Sequence, residues 1–395
     1  MTFYERFHQQ LVDDYGLSAT SGSKGGFNPN LVGEHVVTLP RSVLQGVQRF
    51  IQLCFRLRND SDYQTFITSH VPQMGGHKPK HFSALMAYDF HLDANLNPRL
   101  IEINTNASAS LLVDAVYRTQ AVENPFGDFR RGITATFLHE SILSTGRSPT
   151  TVAIVDADYA DQKMFFEFVL YKRLFEQTGW KTVIAAPEDL HLNERLLCND
   201  LAIDLVYNRF TDFYLQEDRS GALRMAFEKN ATCLTPHPFE YGLLADKTRQ
   251  IDWGSDSVQD LLKTKWPEAD RNWFNQCRLQ TRSVRDWPSA DALWNARQAY
   301  FFKPAQMFGG KAVYRGASVT RRVFAELYEK DTVAQEYVSA PTVTVHTNGK
   351  EETYKYDLRF YVYRDQIQLV SARLYQGQVT NFQHSGGGLC PVQFT

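Results

Sequence analysis

The stretch that decides the fold is YDFHLDANLNPRLIEINTN, residues 88–106. Side chains alternate along a strand, so Asp89, His91 and Asp93 fall on one face of a first strand, and Glu102 and Asn104 on one face of a second. Asn97-Pro98 supplies the turn between them, which makes the stretch a hairpin with acids and an amide side by side. Two carboxylates and an amide carbonyl are hard oxygen donors of the kind Mg²⁺ takes, together with phosphate oxygens and water. An acidic edge facing solvent is the plain alternative, because most Asp and Glu are simply hydrated.

The 395 residues suffice for two or three domains. With 42 Lys+Arg against 44 Asp+Glu and a net charge of -2, nothing points to nucleic acid or an anionic membrane as partner. MTFYERFHQQLVDD mixes charge and apolar residues from the start, unlike a secretory leader, and no apolar run approaches spanning length. Five scattered cysteines without a CxxC pair suit a reduced, cytoplasmic protein.

Upstream of the hairpin, RSVLQGVQRFIQLCFRL (41–57) has helical apolar spacing, and TSGSKGGFNPN (20–30) has loop composition. Downstream, ASASLLVDAVYRTQAV reads as a loop entering a helix, and residues 144–149 read as a linker. TVAIVDAD, KTVIAAPEDL and LAIDLVYNRF then read as three strands, with the helix QKMFFEFVLYKRLFEQTG between the first two: a parallel, Rossmann-like α/β unit. It has no GxGxxG, so dinucleotide binding has no support. Beyond residue 236 come a helix holding Lys247 (LLADKTRQIDW) and the strands AYFFKPA, TVAQEYV, YKYDLRFYVYRD and QIQLVSARLYQG. This pattern divides the chain at 1–148, 149–235 and 236–395.

Several of these segments carry candidate chemistry. Lys303 closes the run AYFF ahead of the loop Met307-Phe308-Gly309-Gly310-Lys311, where a lysine and loop amides could neutralise phosphates, although an ordinary turn explains the loop as well. No Walker A loop is present. Gln335, Glu336 and Val338 offer backbone groups and a carboxylate to a base edge. Asp357 and Arg359 share a strand face, which cross-strand ion pairing alone would satisfy.

Taken in order, Lys247, Lys303, the Gly309–Gly310 loop, the Gln335-Glu336-Tyr337-Val338 segment, DLRFYVY, Arg373 and NFQHSGGG resemble the ATP-grasp superfamily of ATP-dependent carboxylate–amine ligases. DLRFYVY, Arg373 and NFQHSGGG look like the phosphate-binding stretch of its peptide-tailing glutamate ligases, and the hairpin is similar to the metal hairpin of its D-alanine–D-alanine ligases. That hairpin closes the domain in those proteins and here precedes it, the order of a circular permutation. The permuted order, with EINT early and KP plus a glycine loop late, resembles eukaryotic-type glutathione synthetases. LVYNRFTDFYL is similar to their VYFR strand end. The resemblance covers residues 80–110 and 200–395 and leaves the first eighty uncovered.

The resemblance implies ATP and Mg²⁺. It places Lys247, Lys303, Gly309, Gly310, Gln335, Glu336, Val338 and Asn381 on the nucleotide, and Asp89, Glu102 and Asn104 on the metal. Arg209 and Ser108 fall to the substrate, and Arg359 and Arg373 to the transferring phosphoryl group. It further implies an ADP-forming amide-bond ligase acting on amino acids or short peptides through an acyl phosphate, and leaves room for a homodimer. A phosphotransferase of the same fold and a non-catalytic nucleotide-binding protein are the competing classes. Three departures from the family pattern stand out. Ala87 occupies a position where an arginine is usual, Met307 replaces an acidic metal ligand, and ASAS is offset from the expected serines. If the permutation holds, residues 80–110 join the sheet of residues 355–375, and Gly386–Gly388 end near the hairpin.

Overall fold

In the structure, a computed structural model describing residues 1–17, 27–305, 313–347, 350–378, 380–382 and 386–395, the hairpin forms as Met86–Leu92 and Pro98–Asn104. Asp93 lies beyond the first strand and shapes the turn. Its Oδ1 accepts the amides of Asn95 and Asn97 at 2.8 and 2.9 Å, and its Oδ2 the Asn97 side chain at 3.2 Å.

Met86–Leu92 pairs antiparallel with Lys350–Tyr363, so the hairpin does lie in one sheet with the strands near the C-terminus. The order across the sheet is Gly388–Cys390, Gln366–Tyr375, Lys350–Tyr363, Met86–Leu92, Pro98–Asn104, with Thr342–Thr347 paired to the start of the long strand. This places Gly388 at the edge opposite the hairpin, against the expectation of proximity. Its φ of 107° and the backbone of Val32 and Gly33 leave no room there for a side chain. The two chain ends are stitched together at this edge, where Val37–Leu39 runs parallel to Val392–Phe394.

Both sheet faces are covered. On one, helix Arg41–Arg58 buries Val43, Val47, Phe50, Cys54 and Leu57 at helical spacing, with Phe50 stacked on Phe274 and edge-on to Phe90. Truncating Phe90 to Ala in this packing would cost about 3–5 kcal/mol. On the other face Ala87, Tyr361 and Leu369 share a core with helices Ser110–Thr119 and Phe129–Thr145. Beyond Tyr361 that face turns polar, and there the site lies.

Across those helices stands a parallel sheet in the order Cys233–Thr235, Leu205–Asn208, Thr151–Val155, Lys181–Ala185. The expected single strand 201–210 is split. Asp204 accepts the amides and hydroxyls of Thr150 and Thr151 and pairs with Arg195 at 2.6 Å. Only Leu205–Asn208 therefore continues in this sheet, while Leu201–Ala202 joins a small meander. Helix Phe165–Gln177 connects Thr151–Val155 to Lys181–Ala185 as expected. A third sheet, Thr281–Ser283, Thr332–Glu336, Tyr300–Pro304 and Tyr314–Arg315, has its own core around Leu293, Phe302, Phe324 and Leu327. Among the described residues no helix is long and apolar enough to cross a membrane.

Candidate active site

The hairpin carries a bulge. Asp89 faces Glu102 and Phe90 faces Leu100, which leaves Ile101 as an extra residue with no partner in the ladder. Its carbonyl is turned into a cleft between the hairpin, residues 244–253 and the third sheet. There it accepts Lys303 Nζ at 3.2 Å, Gln335 Nε2 at 3.1 Å and Gln250 Nε2 at 3.3 Å. Glu102, Asp246, Lys247, Lys303 and Gln335 form the main polar lining of this cavity.

Two lysines converge on it. Lys303 is 6% exposed. Burial lowers its pKa, Glu102 and Asp89 pull it up, and Lys247 pushes it down. Lys247 is likewise lowered by burial and raised by Glu102 and Asp246. It does not sit within a helix as expected, but in the break between a π-helical turn, Tyr241–Ala245, and the short helix Arg249–Asp252. Asp246 makes that break. Its Oδ1 takes the Thr248 amide and hydroxyl at 2.9 and 2.7 Å, and its Oδ2 the Tyr214 hydroxyl at 2.6 Å.

Next to Glu102 on the sheet, Asp89 is fully buried and gripped by two arginines. Arg359 donates Nε to Oδ1 at 2.8 Å and Nη2 to Oδ2 at 2.6 Å, while Arg373 Nη2 reaches Oδ2 at 2.8 Å. Burial alone would raise the Asp89 pKa, but the charges and hydrogen bonds of Arg359 and Arg373 hold it at about 2. Arg373 also donates Nε to Asp357, which accepts the Thr380 hydroxyl as well. Asp357 and Arg359 thus each pair across to an adjacent strand, Asp357 with Arg373 and Arg359 with Asp89, which is the cross-strand pairing open to them in the sequence.

Glu102 and Asn104, both half-buried, stand together, with the Asn104 amide on Glu102 Oε1 at 3.2 Å. This leaves the Asn104 carbonyl and carboxylate lone pairs of Glu102 as hard donors beside the lysines. Among the described residues no group of three or more His, Cys, Asp or Glu could hold a metal. A sparse oxygen pair next to two lysines suits Mg²⁺, which keeps most of its shell for phosphates and water.

Other expected residues are placed differently. Gln335 lines the cavity, but Glu336 is turned to Arg99, at 3.1 Å, and to the Gln280 amide. The Val338 carbonyl is hydrogen-bonded to His91 Nδ1 at 2.9 Å. Arg209, expected to take a substrate carboxylate, is 7% exposed, donates Nη1 to the carbonyls of Asn106 and Ala107 at 2.6 and 2.7 Å, and packs over Phe168 and Tyr207. It braces the turn that follows the hairpin. Ser108, half-buried in that turn, accepts the Tyr361 hydroxyl on its carbonyl at 2.8 Å. Asn381 donates to the Gln376 carbonyl at 2.9 Å. Gly309 and Gly310 lie outside the described residues.

Sequence reasoning missed Gln250, Asp246 and the Ile101 carbonyl. Asp246-Lys247-Thr248 is a legible side-chain-to-backbone turn, whereas the bulge has no sequence signal such as a glycine.

No protein-family model matches the sequence, and no curated protein does. Among solved structures, the chain is similar to a glutathione synthetase-like effector, GSS30, from Globodera pallida in its apo form. The TM-score is 0.59 at 10% identity, over 100% of this chain and 96% of that one. A putative gamma-glutamylcysteine synthetase from Methylobacillus flagellatus aligns over 89% of this chain and 86% of that one at 9% identity, with a TM-score of 0.48. The ATP-grasp ligase PsnB, complexed with precursor peptide PsnA2 and AMPPNP, aligns over 62% of this chain and 88% of that one at 11% identity, with a TM-score of 0.27. The first likeness covers nearly the whole of both chains, so this chain shares the α/β fold of that glutathione synthetase-like protein; the hairpin at residues 86–104 lies in one sheet with strands near the C-terminus, as the permuted order requires.

Proposed function

We propose that this protein is an ATP- and Mg²⁺-dependent carboxylate–amine ligase, ADP-forming, acting on amino acids or short peptides in the cytoplasm. The observation that carries the reading is the convergence of Lys247, Lys303 and Glu102 on one cavity beside Asn104. Two desolvated ammonium groups facing a carboxylate suit a triphosphate with its metal far better than they suit each other. Five buried free cysteines fit a reducing compartment.

In the proposed reaction a substrate carboxylate oxygen attacks the γ-phosphorus and ADP leaves, giving an acyl phosphate. An amine then attacks the acyl carbon, loses its proton and expels phosphate. Lys247 and Lys303 would neutralise the phosphates, and Glu102 and Asn104 would hold Mg²⁺. Bound there, the ion would neutralise charge building on the β- and γ-oxygens. Arg359 and Arg373 would face the transferring phosphoryl group. Gln335, with Gln250 hydrogen-bonded to it at 3.1 Å, would border the base.

The test is an ADP-release screen over pairs of amino acids and dipeptides with mass analysis of products. An amide product supports the ligase, and a stable phosphorylated acid without amine supports the phosphotransferase. Met307, standing where the family pattern has an acidic ligand, favours a second reading: a protein that binds nucleotide without turnover. Nucleotide binding with no ADP release from any pair would select it.

A further inference from the structure

We propose that Asp89 is a positioning residue for Arg359 and Arg373 and not a ligand of the metal. The functional role of the arginines rests on the ligase reading above, whereas the assignment of Asp89 to them rests on geometry alone. A Mg²⁺ ligand must offer a lone pair at roughly 2.0–2.1 Å along a free direction. Both oxygens of Asp89 are taken by guanidinium N–H groups, three contacts between 2.6 and 2.8 Å, on a residue with 0% exposure.

Charge gives the same answer. Asp89 and Asp357 balance Arg359 and Arg373 in a closed set of two anions and two cations within the sheet. Handing Asp89 to a dication would leave two largely buried guanidinium groups sharing one carboxylate beside new positive charge, the costly case for buried ions. Glu102 carries no such obligation, since it is half-buried beside the Asn104 amide.

Strand register turns this into a positioning role. Asp89 is the cross-strand partner of Glu102 on one side and of Arg359 on the other. It therefore fixes the spacing between the arginine pair and the residues facing the cavity. Its bidentate grip on Arg359 sets the plane of that guanidinium, and its contact from Arg373 Nη2, together with the Arg373 Nε contact to Asp357, sets that of Arg373.

The experiment measures Mn²⁺ binding by EPR with AMPPNP present, and the arginine Nε–H resonances by NMR without ligand. Wild type, Asp89→Asn, Glu102→Gln and the charge-balanced double variant Asp89→Asn/Arg373→Gln are compared. The double variant guards against misfolding of the single one. Expected is a weakening of Mn²⁺ binding of about tenfold or more in Glu102→Gln, and of less than about twofold in both Asp89 variants. The shifted Arg359 signal should be lost in the Asp89 variants only. Turnover should fall at least about 100-fold in Asp89→Asn with the KM for ATP within about threefold, the split expected when only transition-state contacts are lost. Equal weakening of Mn²⁺ in Asp89→Asn and Glu102→Gln would overturn the proposal while leaving the ligase reading intact. A wild type that binds no Mn²⁺–nucleotide would overturn the ligase reading, and the arginine resonances would then decide the Asp89 assignment by themselves.

Discussion

Lys303→Met should separate function from stability in opposite directions. A charge-assisted contact to phosphate is worth about 1.5–3 kcal/mol, so losing it should weaken AMPPNP binding by roughly 10- to 100-fold. The fold should not suffer. Methionine keeps the length and apolar stem, and the Ile101 carbonyl that accepts Lys303 keeps its donors Gln335 and Gln250. Removing a desolvated ammonium group is neutral to favourable in such a setting, so Tm should stay level or rise by up to about 3 °C. The pH dependence follows from the sign of the shift. Burial holds the folded pKa of Lys303 below 10.5, so between the two values the unfolded chain binds more protons and wild-type stability rises with pH. Any Tm advantage of Lys303→Met at pH 7 should therefore shrink toward pH 10. Calorimetry of nucleotide binding and thermal melts at both pH values read this out. Unchanged AMPPNP affinity, or a Tm drop beyond about 5 °C, would refute the phosphate role and make Lys303 part of the scaffold.

Glu102→Gln should abolish Mg²⁺-dependent ADP formation while the melting curve stays within about 2 °C of wild type, because a half-buried side chain facing a cleft contributes little to the core. Arg209→Lys should lower stability by about 1–3 kcal/mol through lost contacts to the Asn106 and Ala107 carbonyls, and should affect both substrates alike. A KM change confined to the acid substrate would instead place Arg209 in the substrate site. Glu140 is fully buried; its pKa is pushed up to about 7 by burial, against hydrogen bonds from the Phe82 amide, Tyr363 and Thr235. Its stabilising contribution is complete below the unfolded value of 4.5 and is lost as pH rises through about 7. Glu140→Gln should therefore gain Tm on wild type at pH 8 and match it near pH 4.5, as melts across that range would show.

The legible parts of the fold were those written into local pattern. The hairpin was readable because Asn97-Pro98 and two runs of period two need no distant information, and helix Arg41–Arg58 because its apolar residues recur at i, i+3, i+4 and i+7. Two elements failed where a side chain from elsewhere, or a local turn, competes with periodicity. Apolar spacing carried a strand across Asp204, but hydroxyls and amides from Thr150 and Thr151, some fifty residues away, divert the chain there. The same spacing carried a helix across Lys247, where the Asp246 cap ends it. The bulge at Ile101 was hidden because nothing in the residue itself marks it. Yet that backbone carbonyl organises Lys303, Gln335 and Gln250 at the floor of the cavity.

The arginine pair shows why a buried polar strand says more than an exposed one. In MAYDFHL, alternation suggests a wet face bearing Asp89 and His91, yet all seven residues are buried, because the sheet is covered on both sides. A carboxylate on such a strand must find positive charge nearby, since an unpaired buried anion would instead be protonated. Its neighbour in the sheet is Lys350–Tyr363, whose register sets Arg359 directly beside Asp89; one strand further, Arg373 lies opposite Asp357. Given the strand order that the permuted resemblance implies, burial alone thus leads from Asp89 to both guanidinium groups. Glu102, one strand toward the open edge, lacks that enclosure and keeps its lone pairs for the cleft.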